Sequence, residues 1–120
     1  MKIVINRCYG GFKLSPVAFK LLLLKKGIEF DETIDRYGSL ALYKKGQPRT
    51  DENYLSQYDF CDSINGRSDP DLIAVIEQLG KQAEGTSSEF KIIEIPDDVV
   101  CVITSYDGME RIEEVHRIWF

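Results

Sequence analysis

Taken as a pattern of apolar and polar positions, the chain opens on Lys2–Asn6, where the β-branched Ile3, Val4 and Ile5 stand together between polar ends. This predicts a short, largely buried strand. The stretch "NRCYGGF" follows, and Ser15-Pro16 then leads into Val17, Phe19 and Leu21–Leu24, closed by Lys25-Lys26-Gly27. A serine can accept from the free N–H groups of a helix start, and proline suits the first helical position because its missing N–H would be orphaned there anyway. The basic pair and the glycine fit a helix end. The helix so predicted is apolar around much of its circumference, which requires deep burial or a second chain against it.

Ile28–Ile34 reads as extended. Through Tyr37–Arg67 the positions Gly38, Gly46, Pro48 and Gly66 break any long period, so irregular chain with short strands is expected. Tyr37, Tyr43, Tyr54, Tyr58 and Phe60 give this stretch more rings than a solvated connector needs, and part of it is expected to cover a pocket or an interface. Asp69-Pro70 repeats the helix-start logic, Leu72, Ile73, Val75, Ile76 and Leu79 form one apolar stripe, and Gly80 ends it. A polar connection, Lys81–Ser88, precedes strands at Phe90–Ile95 and Val99–Tyr106, which Pro96-Asp97-Asp98 separates. Asp107-Gly108 suits a type I′ turn, which needs positive φ at both central residues. Met109–Trp119 satisfies two periods, a returning strand or a helix with Met109, Ile112, Val115 and Trp119 on one face; the Asp-Gly pair favours the hairpin. The fold expected is a single α+β domain, with two main helices packed on a small mixed sheet that contains Lys2–Asn6, Phe90–Ile95 and the C-terminal hairpin.

Composition narrows the function classes. With 120 residues, 43% apolar and 29% charged, the chain has the balance of one globular domain. A net charge of −5 opposes sequence-independent binding of DNA or RNA, although one or two arginines in a pocket can still hold a small phosphate. Cys8, Cys61 and Cys101 form no CxxC pair, and their odd number argues against a disulfide framework, so a reducing cytoplasm is the expected home. Leu21–Leu24 is far too short to cross ~30 Å of hydrocarbon, and no secretory leader or membrane segment is expected.

The candidate chemistry centres on Tyr9, Gly10, Gly11 and Phe12. Glycines between a strand and a helix let the backbone approach a ligand, and the helix start offers N–H groups to an anion. The spacing is neither GxGxxG nor GxxxxGK[ST], so neither a dinucleotide fingerprint nor a P-loop is present; the alternative is a tight turn with both rings packed on the core. Arg7 just past the strand, Arg67 just before the second helix and Arg117 near the C-terminus complete a candidate anion-binding set, the alternative for each being a surface ion pair. His116 is the single histidine and has no zinc-type spacing, so neither a metal nor a cofactor is expected. Cys8 with His116, or Ser15 or Ser105 in a triad, can be combined on paper without any supporting spacing. Glu110, Glu113 and Glu114 with Asp97, Asp98 and Asp107 read first as a solvated acidic face. Trp119-Phe120 are expected to dock on this chain or on a partner.

"KIVINRCYGGF", "DPDLIAVIEQLG", "KIIEIPDDV" and "YDGMERIEEVHRIW", taken as a set, resemble a family of small, mostly uncharacterised proteins of bacteriophages, prophages and large DNA viruses; Asp31–Ser63 lies outside that pattern. The resemblance implies an accessory protein of the infected cell's cytoplasm and carries over no catalytic residue. By analogy with other compact phage proteins it suggests a counter to host defence, including sequestration of nucleotide signals. The leading expectation is therefore a non-enzymatic, homo-oligomeric binder of a small anionic ligand, with a nucleotide as the favoured class. A module that inhibits a host protein and a small hydrolase or phosphodiesterase are the alternatives.

Overall fold

Along the chain run β1 (Lys2–Asn6), α1 (Pro16–Lys25), β2 (Phe30–Ile34), β3 (Leu40–Lys44), the single-turn helices α2 (Tyr58–Cys61) and α3 (Ile64–Arg67), α4 (Pro70–Leu79), β4 (Phe90–Glu94), β5 (Cys101–Tyr106) and β6 (Met109–Glu114). The structure is a computed structural model and describes residues 1–34 and 36–115. Both long helices form between the caps that the sequence provides. Ser15 Oγ accepts from the Ala18 N–H at 3.2 Å at the start of α1, and Asp69 Oδ1 accepts from the Asp71 N–H at 3.2 Å at the start of α4. Lys26, just past α1, forms an ion pair with the Asp69 cap. The Asp69 hydrogen bond holds this ammonium above the usual lysine range, against the opposing pull of desolvation.

The architecture is α+β, as expected, but the strands differ from a single mixed sheet. They form three separate two-stranded antiparallel ladders, β1 with β4, β2 with β3, and β5 with β6. In the first, Lys2 lies opposite Glu94 and Asn6 opposite Phe90; in the last, Cys101 lies opposite Glu114 and Tyr106 opposite Met109. β6 comes up beside β1, yet no backbone ladder joins the two, because side chains occupy the edge between them.

One apolar cluster joins the ladders and helices. Val4 of β1, Ala18, Phe19, Leu22 and Leu23 of α1, and Leu72, Ile73, Val75 and Ile76 of α4 supply most of it. α4 shows the one-sided stripe read from its sequence. α1 buries one side and leaves Val17 and Leu24 exposed. The segment expected to be irregular contains β3 and the two short helices, and its Leu42, Leu55 and Cys61 close one side of the core. Tyr54 edges onto Tyr43 at 5.6 Å between centroids. His116, Arg117, Trp119 and Phe120 lie outside the described residues.

The hairpin turns as the Asp-Gly pair requires, with φ 51° at Asp107 and 88° at Gly108. Gly108 also meets a second demand that is invisible in its own hairpin. A Cβ there would stand 2.3 Å from the Gly11 nitrogen and 2.7 Å from that of Gly10, so the turn is seated directly on the backbone of "NRCYGGF". Gly108→Ala should therefore cost roughly 2–3 kcal/mol of stability in a urea titration, from combined strain and clash. Gly46→Ala, at φ 72° with open space around it, should cost only about 1 kcal/mol.

Candidate functional site

The hydrogen-bond pattern of β1 locates the site. Bonds from Arg7 N–H to Glu89 O (2.7 Å) and from Ile95 N–H to Met1 O (2.8 Å) bracket its ladder with β4. Alternation along an antiparallel pair then turns Lys2, Val4 and Asn6 outward. A sheet edge buried without partners for these groups would be costly. The Asn6 N–H donates to Glu110 Oε1 at 2.8 Å, and the Val4 carbonyl accepts from Arg67 Nη1 at 3.5 Å. Arg67 and Glu110 close the arrangement on each other, Nη1 to Oε1 at 2.5 Å and Nη2 to Oε2 at 2.8 Å. They are 6% and 8% exposed, so this two-pronged pair does in the interior what a neighbouring strand would do.

Local structure aims each member. In α3, Ser63 Oγ accepts from the Gly66 N–H, and a Cβ on Gly66 would stand 2.1 Å from the Phe60 carbonyl oxygen; only glycine lets α2 and α3 turn this tightly. The turn sends the Arg67 side chain inward, where Nε donates to Cys61 O and the guanidinium carbon lies 3.7 Å from the Phe12 ring centroid. Phe12 in turn stacks on Phe90 at 4.6 Å. Glu110 lies on the same face of β6 as Ile112, by the two-residue period of a strand.

Asn6 ties "NRCYGGF" to the hairpin. Its amide nitrogen donates to Cys8 O (2.7 Å) and Gly108 O (2.8 Å), and its Oδ1 accepts from the N–H groups of Glu89 (2.9 Å) and Cys8 (3.3 Å). The Gly10 N–H donates to Asp107 O at 3.3 Å, and the Gly11 carbonyl accepts from Ser88 Oγ at 2.8 Å. The Gly10 N–H that an anion would need is thus committed to the hairpin turn. Phe12 is buried, and Tyr9 is exposed.

Arg7 and Arg67 both reach Glu110, but at different atoms and beside different cavities. Arg7 Nη1 donates to the Glu110 carbonyl at 2.7 Å, and no other protein partner of its side chain is found among the described residues. It lines an open groove of about 560 Å³ with Thr104, Ser105, Tyr106, Met109 and Arg111. Arg111 donates to Thr104 Oγ1 at 3.3 Å and pairs with Glu113 at 2.6 Å. Arg67 lies at the base of a separate crevice of about 400 Å³ between α3 and β5. The two arginines therefore do not converge on a single ligand.

Among the described residues no group of three or more His, Cys, Asp or Glu side chains could hold a metal ion, and no helix is long and apolar enough to cross a membrane. Burial pushes the Cys61 thiol up to about 11, so it is a neutral packing group at physiological pH. The residues that sequence reasoning missed are Asn6 and Glu110. A signal for Glu110 did exist: in the hairpin reading, a two-residue period puts this carboxylate on the face of Ile112, where only a paired charge is tolerated. No protein-family model, curated protein or solved structure matches the chain.

Breaking the pair from one side leaves a buried charge. Glu110→Ala should destabilise the fold by about 3–5 kcal/mol, and the apolar double replacement Arg67→Met with Glu110→Leu should recover only the part owed to the lone buried charge, remaining roughly 2–4 kcal/mol less stable than the parent because the Asn6 N–H and Val4 carbonyl stay unpaired. Urea titrations of both, with amide exchange at Asn6 followed by NMR, check the assignment: Asn6 loses its protection in either variant.

Proposed function

We propose that this protein is a non-enzymatic binder of a small anionic ligand, held in the groove where Arg7 and Arg111 meet Tyr106. The observation that carries the reading is the Arg7 guanidinium, anchored by one N–H on the Glu110 carbonyl while it lines an open groove. An arginine so held is oriented before a ligand arrives, which lowers the entropic cost of capture. Thr104 and Ser105 add hydroxyls, Arg111 adds a second guanidinium, and the largely exposed Tyr106 ring offers a surface for a planar group. The groove volume falls in the range of small-molecule sites. A phosphate or carboxylate joined to a flat ring, as in a mononucleotide, matches these groups.

Resemblance of both ends and the central helix to small phage and viral proteins supports an accessory role in the cytoplasm of an infected cell. Sequestering a nucleotide signal there requires binding without turnover.

Incubation with nucleoside monophosphates and cyclic nucleotides, removal of the free pool and heat release should return the ligand chemically unchanged. Native mass spectrometry of freshly purified protein reports the bound species directly. Arg7→Ala should weaken binding by about 10- to 100-fold, the worth of a hydrogen bond to a charged group, with Asn6 amide protection as the check that the fold is intact. Recovery of a cleaved product, or no binding of any of these nucleotides at millimolar concentration, overturns the proposal.

A further inference from the structure

The two arginines of the groove beside Arg7 are compensated differently. Arg7 Nη1 donates to the Glu110 carbonyl, a neutral partner, so its positive charge has no ionic counterpart among the described residues. Arg111 Nε donates to Thr104 Oγ1 at 3.3 Å while its Nη2 meets Glu113 Oε1 at 2.6 Å, so a carboxylate stands against this second charge. Glu110, which also lines the groove, is matched by Arg67 through both of its carboxylate oxygens. Of the charged side chains that line the groove, Arg7 alone is left unbalanced.

The Arg111 to Glu113 pair is exposed, and such a pair opens at little cost. Opening it does not take the carboxylate away. Arg111 and Glu113 stand two positions apart on β6, so they share a face of the strand and are about 7 Å apart along it. Glu113 therefore keeps its negative charge beside whatever Arg111 holds. The ladder sets Thr104 opposite Arg111, which keeps this guanidinium at the groove.

We infer that the groove selects a ligand group with a single negative charge, in a nucleotide a phosphodiester over a phosphomonoester dianion, and that Glu113 sets this choice. The inference rests on the reading of the groove as an anion site. Attraction to a site grows in proportion to the ligand's charge, whereas the cost of taking that charge out of water grows as its square. Arg7 offsets a first negative charge. A second would meet Arg111 with Glu113 already beside it, and the net charge of −5 on the whole chain opposes it further. Glu113 is thus a specificity residue that acts through its field and through Arg111, without a ligand contact of its own.

The probes are the four common ribonucleoside 5′-monophosphates and their phosphate methyl esters, titrated into the full chain at pH 8. Above the second phosphate pKa of about 6, each monophosphate carries two charges and its ester one, with base and sugar unchanged. The parent should bind the ester more tightly than the matching monophosphate. Glu113→Gln, which keeps the shape and removes the charge, should strengthen the monophosphate about three- to fivefold more than the ester. Glu113→Asp should keep the parent's preference, and Asn6 amide protection checks that each variant is folded. A parent that binds the monophosphate as tightly as the ester or more so overturns the inference and leaves the groove an anion site. An equal effect of Glu113→Gln on both probes does the same. No binding of either probe at millimolar concentration overturns the inference together with the reading it rests on.

Discussion

The fold depends on how the outer edge of β1 is satisfied. This strand lies in the core and pairs with β4 on one side only, so the outward Val4 carbonyl and Asn6 N–H are cut off from water. Arg67 and Glu110 meet both groups and each other. A buried ion pair returns little net stability once desolvation is counted. Its value here is geometric: two parallel N–H to oxygen bonds fix the position of α3 and the register of β6 against β1 together. Replacing them with apolar side chains would leave the strand edge unpaired.

That one constraint also accounts for "NRCYGGF". With Glu110 held against Asn6, the hairpin turn is brought down onto Gly10 and Gly11, and the glycines admit it where side chains would not. Phe12 is then enclosed between the Arg67 guanidinium and Phe90. A stretch that in sequence reads either as a ligand-binding loop or as a tight turn is, in three dimensions, the seat of a hairpin. The Arg7 side chain at its start donates to the Glu110 carbonyl and lines an open groove.

The docked hairpin presents two surfaces of different character. Beside Arg7 it offers guanidinium, hydroxyl and ring groups around an open groove; toward α3 it walls the crevice at whose base Arg67 lies. Both are held by the clamp without being consumed by it, since Glu110 faces β1 through its carboxylate and Arg7 through its carbonyl.

The elements were legible in the sequence because their signals are local. Ser15-Pro16 and Asp69-Pro70 act on N–H groups within a turn of themselves, the α4 stripe repeats within a few residues, and Asp107-Gly108 carries its own backbone preference. Such features act before any distant segment arrives, and α1, α4 and the C-terminal hairpin formed where they were read. The expected mixed sheet did not form, because which strand edges meet is decided between segments far apart in the chain. Asn6, Arg67 and Glu110 share no spacing; each alone reads as a strand end, a surface cation or part of an acidic face. Only burial, which makes an unpaired charge or backbone group costly, selects them as partners, and burial is a property of the assembled tertiary structure.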